Sequence, residues 1–265
     1  MKSIVGIAAL FMLLPFGALG QYVAEDKEEE KFRKWHIKPA AGVNVPLTKL
    51  LGNGITDNLI GYDDHSFYWQ IFSGTFFFHR SWGVELTCQT GVSNRFLNRH
   101  KRFISEIENT YGDRYYTSSS SDADTDRFLP IGGNIDRFLV GLVYRIQKQK
   151  LLLMPRLLFG VTPFQTNSGQ AFLKEKGTNT LLEISYDTDS SQVENFTIAP
   201  AFTIGYRLGK RTVANLDAMM SFYSAGFDYT ESRRNTFTQR TQTKIIPYQK
   251  DIITFSVGVG LIIEL

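Results

Sequence analysis

Between residues 194 and 206 the side chains alternate: Phe196, Ile198, Pro200, Phe202, Ile204 and Tyr206 are apolar, whereas Asn195, Thr197, Ala199, Ala201, Thr203 and Gly205 are small or polar. A period of two is the spacing of a β-strand with one face in an apolar medium and the other elsewhere. The same period returns at the C-terminal end, where Phe255, Val257, Val259, Leu261, Ile263 and Leu265 oppose Thr254, Ser256, Gly258, Gly260 and Glu264. It recurs with Ala214, Leu216, Ala218, Met220 and Phe222 against Asn215, Asp217, Met219 and Ser221, and with Trp82, Val84, Leu86, Cys88, Thr90 and Val92 against Gly83, Glu85, Thr87, Gln89, Gly91 and Ser93. In residues 67–78 two phases compete: Tyr68, Phe72, Phe76 and Phe78 on one, Phe67, Trp69, Ile71 and Phe77 on the other, so the register stays open there. The whole pattern predicts eight strands, at residues 35–46, 67–78, 82–95, 135–146, 151–164, 193–207, 212–228 and 250–265.

The connections sort by length. Residues 79–81, 147–150 and 208–211 make short polar turns, while 47–66, 96–134, 165–192 and 229–249 are long, and the long ones all fall at one end of the strands. A soluble sandwich has water at both ends and no cause to sort its loops this way. A barrel inserted in a bilayer from one side has such a cause, because strands of about 10 residues cross the hydrocarbon and close on themselves to satisfy every backbone polar group. No later stretch is apolar enough for a spanning helix, which needs about 20 residues. The expected fold is therefore an all-β, eight-stranded antiparallel up-and-down transmembrane barrel over residues 35–265, with long extracellular loops, short periplasmic turns and both termini periplasmic. Trp35, Trp82, Tyr144, Tyr206 and Tyr229 sit near strand ends, where aromatic rings suit the membrane interface.

Ahead of the strands, Lys2 followed by the apolar run 4–14 and small residues at Ala18 and Gly20 reads as a signal peptide cut after residue 20. Residues 21–34, rich in Glu and Lys, read as a solvated tail. Composition narrows the chemistry further. With 43% apolar residues the chain of 265 is built to bury surface, a single cysteine rules out an internal disulfide, and a net charge of +3 is too small for a general nucleic-acid binder.

The strand count, the loop asymmetry and the closing strand 253–265 resemble the small bacterial outer-membrane barrels, such as the OmpX and OmpA barrel families and the broad family containing PorT. The resemblance implies a last strand read by the barrel-insertion machinery, commonly ending in an aromatic residue; this chain ends in Leu265. It also implies an accessory part in a secretion or envelope assembly, with a possible envelope protein as partner.

Eight strands enclose a bore that side chains can fill. Lys38, Glu85, Arg137, Arg145, Arg156, Asp217 and Glu264 point inward by phase, and Glu85, Arg156 and Asp217 stand four to six residues from the turn ends, near one height. We expect these three to form an ion-paired plug, since charges in a narrow site are costly unless paired. Arg99, Lys101 and Arg102 in the second long connection, and Arg233 and Arg234 in the fourth, are candidates for contact with lipopolysaccharide phosphates, together with their neighbours Arg95, Arg240 and Lys244. The expected function is a non-enzymatic outer-membrane protein with a filled lumen that acts through its outer loops. The alternatives are a narrow channel for small or hydrophobic solutes and a lipid A modifying enzyme. Catalysis at Asp63-Asp64-His65-Ser66 is disfavoured because successive strand residues face opposite ways. His36 and His79 fall at the turn end, away from outer-leaflet lipid. A calcium loop at Asp122-Ala123-Asp124-Thr125-Asp126 has Arg127 where glycine is needed and Gly133 where the closing glutamate is needed. Asn195-Phe196-Thr197 matches a glycosylation triplet inside a strand, and Gly258-Val259-Gly260 has no helix after it to make a phosphate loop. Cys88 reads as a small outward apolar residue, and no cofactor or metal is expected.

Overall fold

The structure, a computed structural model, describes residues 32–48, 54–56, 66–93, 97–118, 134–166, 168–178, 180–190 and 192–265. The signal-peptide reading, His65 and the Asp122–Asp126 run lie outside the described residues.

Among the described residues are one helix and thirteen strands. These are β1 (Trp35–Ile37), β2 (Ala40–Pro46), β3 (Ser66–Phe77), β4 (Trp82–Ser93), α1 (Leu97–Tyr111), β5 (Tyr115–Ser118), β6 (Asn134–Tyr144) and β7 (Ile146–Lys148). The rest are β8 (Leu151–Gln165), β9 (Gly169–Glu175), β10 (Leu181–Thr188), β11 (Gln192–Arg207), β12 (Thr212–Asn235) and β13 (Thr241–Glu264). All pairings are antiparallel, and they close on themselves: β2 to β3, β4, β6, β8, β11, β12, β13 and back to β2. The wall is thus a closed antiparallel barrel with no free edge around the ring. The expected count of eight describes this ring and not the strands as a whole. β1 continues β2 past a break at Lys38-Pro39, where proline has no N–H for the ladder, and β7 continues β6 past Arg145.

The open register of β3 has a simple cause. Its pairing with β4 slips between Trp69 and Phe72, a bulge that inserts one residue and inverts the phase. Below it Phe72, Phe76 and Phe78 face outward and Ser73, Thr75 and Phe77 inward; above it Phe67 and Trp69 face outward and Ser66, Tyr68 and Gln70 inward. Each competing set describes half the strand. Elsewhere the alternation holds in phase, with Phe196, Ile204, Leu216, Leu86, Val259 and Leu261 exposed on the outer face and Thr197, Thr203, Asp217, Glu85, Thr87 and Ser256 buried within, while Phe222, read as outward and paired with Ile198, is covered at 7% exposure. Ile262, unassigned from the alternation, is buried on the inner side.

The expected long loops are corrected most. β12 and β13 run 24 residues each and stay paired from Thr212↔Ile263 to Arg234↔Thr241, so residues 229–249 form a tall hairpin and not a loop. β12 leaves β11 at Tyr223 and takes β10 as its second neighbour from Tyr229 onward. β10 pairs β9 and β9 pairs β5, extending a sheet above the barrel from connections expected to be irregular. On that sheet lies α1, whose Phe103 and Ile107, four apart on one helical face, are buried with Leu173, Ile184, Tyr186 and Tyr229. Tyr229, expected in an interfacial girdle, is instead fully buried in this cap. Of the other residues expected in the girdle, Trp35 packs on Phe76 at 4.7 Å and Trp82 on Tyr144 at 4.8 Å, all near the short turns.

Candidate functional site

The interior is filled in successive levels, set by the inward phase of each strand. Nearest the short turns, Phe77, Val143, Leu152, Met154, Val213 and Ile262 pack together, and Phe32 closes against them. Residues 32–34 therefore do not belong to a solvated tail: the Arg145 guanidinium lies 5.0 Å from the Phe32 ring and 4.5 Å from that of Phe77, and Lys34 O accepts the Phe77 N–H at 2.7 Å. At the same end Arg207 donates to both oxygens of Glu264, at 2.8 and 2.9 Å, and Arg33 adds a contact at 3.3 Å. Arg145, expected inside, is half-buried at this rim and donates to the Arg80 carbonyl at 2.9 and 2.6 Å. His79 lies in the turn, where its Nδ1 accepts the Ser81 N–H at 3.2 Å.

One level further in, the structure brings Glu85, Arg156 and Asp217 together. Arg156 Nη2 donates to Asp217 at 2.7 and 2.8 Å while its Nη1 holds Glu85 Oε1. Lys38 completes the group, its Nζ 3.1 Å from Glu85 and 3.4 Å from Asp217. Two cations and two carboxylates make a neutral set, and hydroxyls fill the remaining lone pairs: Thr87 at 2.7 Å, Thr75 at 3.2 Å and Ser73 at 3.4 Å on Glu85, and Thr203 on Asp217. A buried charge cluster persists only with this degree of satisfaction. Lys38 was legible as inward but not as a member, because heights were counted from the short turns and no such turn precedes the first strand, whose register with β13 runs unbroken across Pro39.

Above the charges, Leu139, Leu158, Ala199, Ala201 and Met219 form a third, apolar level. Above that, Arg137 spans the bore, donating to Thr254 at 2.9 Å, Ser256 at 3.2 Å and Asn44 at 3.4 Å. The cap core then roofs the barrel with Phe164, Tyr223, Tyr248 and Ile252. Asn195 faces this interior and donates to the Thr162 carbonyl at 3.3 Å, so it presents no surface amide for glycosylation.

Among the loop cations, Arg233 pairs with Glu231 and lies 5.4 Å from the Tyr111 ring, tying β12 to α1. Arg234 reaches Gln239 at 3.1 Å and Glu183 at 3.9 Å. Arg99, Lys101 and Arg102 fall on α1, with side chains outside the described residues. In the cap, burial first, then Tyr111 and Glu231, push the Tyr186 phenol up, and burial followed by Glu231 pushes the Tyr111 phenol up. Among the described residues no cluster of three or more His, Cys, Asp or Glu converges as a metal site, and no helix is long and apolar enough to cross a membrane.

A closed antiparallel barrel with a filled bore and a folded cap is the class this geometry defines. No family model matches the chain and no curated protein matches it in sequence. Among solved structures it is similar to a major outer membrane protein from Thermus thermophilus, at 9% identity and TM-score 0.39, covering 88% of this chain and 98% of that one. It is also similar to the outer membrane protease OmpT from Escherichia coli, at 6% identity and TM-score 0.36, covering 89% and 98%. A third is the outer membrane protein OprG from Pseudomonas aeruginosa, at 11% identity and TM-score 0.32, covering 88% and 97%.

Proposed function

We propose that the protein is an outer-membrane barrel with eight strands in its wall, sealed along its bore, that acts through the folded cap rather than by passing solute. The outer face supports the membrane reading. On β12 it runs Ala214, Leu216, Ala218, Met220, Phe222 and then turns polar at Ser224, Gly226, Asp228, Thr230 and Ser232. On the paired β13 the change falls between Ile253 and Asp251. The apolar stretch from 212 to 222 matches the 9 to 11 residues with which a tilted strand crosses hydrocarbon, about 25 Å of apolar band. Exposed Phe67, Trp69, Phe72, Leu142, Phe196 and Val259 carry the band around the barrel, far more apolar surface than a water-soluble monomer leaves open. Short turns on the periplasmic side and the cap outside follow from the usual asymmetry of such barrels.

The observation that carries the sealed reading is the neutral cluster of Lys38, Glu85, Arg156 and Asp217 wedged between two apolar levels, with Glu85 fully buried. Reconstituted in planar bilayers, the protein is expected to show no conductance steps, and in liposomes no swelling with small sugars. Steady single-channel currents or solute entry at wild-type sequence would sink it.

A further inference from the structure

The tip of the β12–β13 hairpin is built with more care than a solvated turn needs. Asn235 Oδ1 accepts the N–H groups of Phe237 and Thr238 at 3.0 and 2.9 Å. Thr236 fastens the tip to the end of β10, giving the Leu181 carbonyl its N–H at 3.0 Å and its hydroxyl at 2.9 Å. Gln239 adopts a left-handed φ of 57°, is gripped by Arg234, and donates to the Thr236 carbonyl at 2.8 Å. The ordered turn carries Phe237 outward, 88% exposed, more than any other large apolar side chain among the described residues. These bonds fix the backbone of a tight hairpin turn, the ring carried on it buries no surface within the chain, and a pre-ordered aromatic is how an interface lowers its entropy cost.

The surroundings say what such a ring would meet. Residues 231–250 carry Arg233, Arg234, Arg240, Lys244 and Lys250 against Glu231, a net +4 in a chain whose total is +3. Glu231 is taken by Arg233, while Arg240 stands exposed at the end of the turn and Lys244 on the strand that leaves it. The apolar belt ends at Phe222, so at about 3.3 Å per residue the tip stands about 45 Å further along the strand, which at the tilt of such strands is about 30 Å above the belt and past the lipid headgroups. We infer that the Phe237 tip, flanked by Arg240 and Lys244, is a docking knob for an extracellular protein partner that offers an apolar pocket rimmed by carboxylates. The ring supplies the central anchor and the two cations the rim.

This rests on the outward orientation of the cap, which is tested separately. A cysteine placed at Gln239 is expected to react with a membrane-impermeant maleimide on intact cells; failure there overturns the orientation, and success leaves the docking question open to its own test. For that test, a photoreactive phenylalanine is placed at position 237 and, as control, at Gln249 lower on the same hairpin. In cells grown under native expression, position 237 is expected to give one discrete protein adduct, about tenfold above Gln249, whose cross-linked peptide joins apolar residues to Asp or Glu. Reversing the rim with R240E and K244E is expected to cut the adduct about tenfold with surface labelling unchanged. No adduct, equal adducts at both positions, a lipid or glycan adduct, a partner peptide without acidic residues, or indifference to charge reversal would each overturn the proposal.

Discussion

Arg156 shows how much one residue can carry in a narrow bore. Truncating it to Met leaves Glu85 and Asp217 sharing Lys38 alone, one carboxylate too many in a buried site. We expect R156M to lower stability by about 3–5 kcal/mol. The double variant R156M with D217N, which restores neutrality with Lys38 and Glu85, is expected to recover more than half of that loss. Urea titration in detergent micelles, followed by the folded and unfolded gel bands, measures both; equal losses in the single and double variants would show that charge balance is not what matters. Gly258 is a second such position. A β-carbon there would collide with Tyr68 Oη and fall 2.7 Å from the Ala41 carbonyl, where β13 and β2 pair. G258A is therefore expected to destabilise by about 1–3 kcal/mol through overpacking, read in the same titration. The sequence showed Gly258 as an inward glycine, but not the ring that needs its space, because Tyr68 lay in the strand whose phase was open.

At the scale of elements, legibility followed the physical origin of each pattern. The barrel strands show a clean period of two because successive side chains face opposite sides of one wall, apolar outside and mostly polar within, and that alternation does not depend on the neighbours. The bulge in β3 hid its own register, since one inserted residue makes two phases look equally apolar. The cap was missed because its elements are short and their burial depends on one another. Phe103, Ile104, Ile107 and Tyr111 keep helical spacing within the connection read as a loop, and Ala171, Leu173, Ile184 and Tyr186 alternate in strands too brief to weigh alone. The helix makes the cap testable. Ile107→Asp puts a charge into its core and is expected to release α1, exposing residues 97–118 to trypsin on intact cells, while the barrel keeps its folded gel mobility. The cap also has an alkaline limit. The Tyr111 and Tyr186 phenols are raised in the folded state, so the unfolded chain, titrating near pH 10, releases those protons first. Their contribution is fully present below about pH 10 and is lost as pH rises beyond it. Phenolate absorbance of the Y186F variant should differ from wild type only above that point, with α1 becoming protease-sensitive at a higher pH in the variant.

The whole molecule stacks two independent closures along one axis, and the strand that joins them shows where they separate. β12 is barrel wall up to Tyr223, where its pairing with β11 ends, and cap framework from Tyr229, where β10 begins. The charged plug sits six residues below that junction on β12, at Asp217, and its ligands Lys38, Glu85, Arg156, Thr203 and Asp217 all come from the wall. Sealing should therefore not need the cap. A variant in which residues 227–248 are replaced by Asn-Gly, joining the paired Gly226 and Gln249 by the tightest hairpin turn, is expected to insert, keep its folded gel mobility and remain non-conducting in planar bilayers. The same shortened protein carrying Arg156→Ala and Lys38→Ala, which unpairs both carboxylates and removes the two longest side chains of the plug, is expected to admit water and small cations and show current. Current from the shortened barrel alone would mean that the upper hairpin, with Tyr248 over the bore, makes the seal and that the ion cluster is only a strut within the wall.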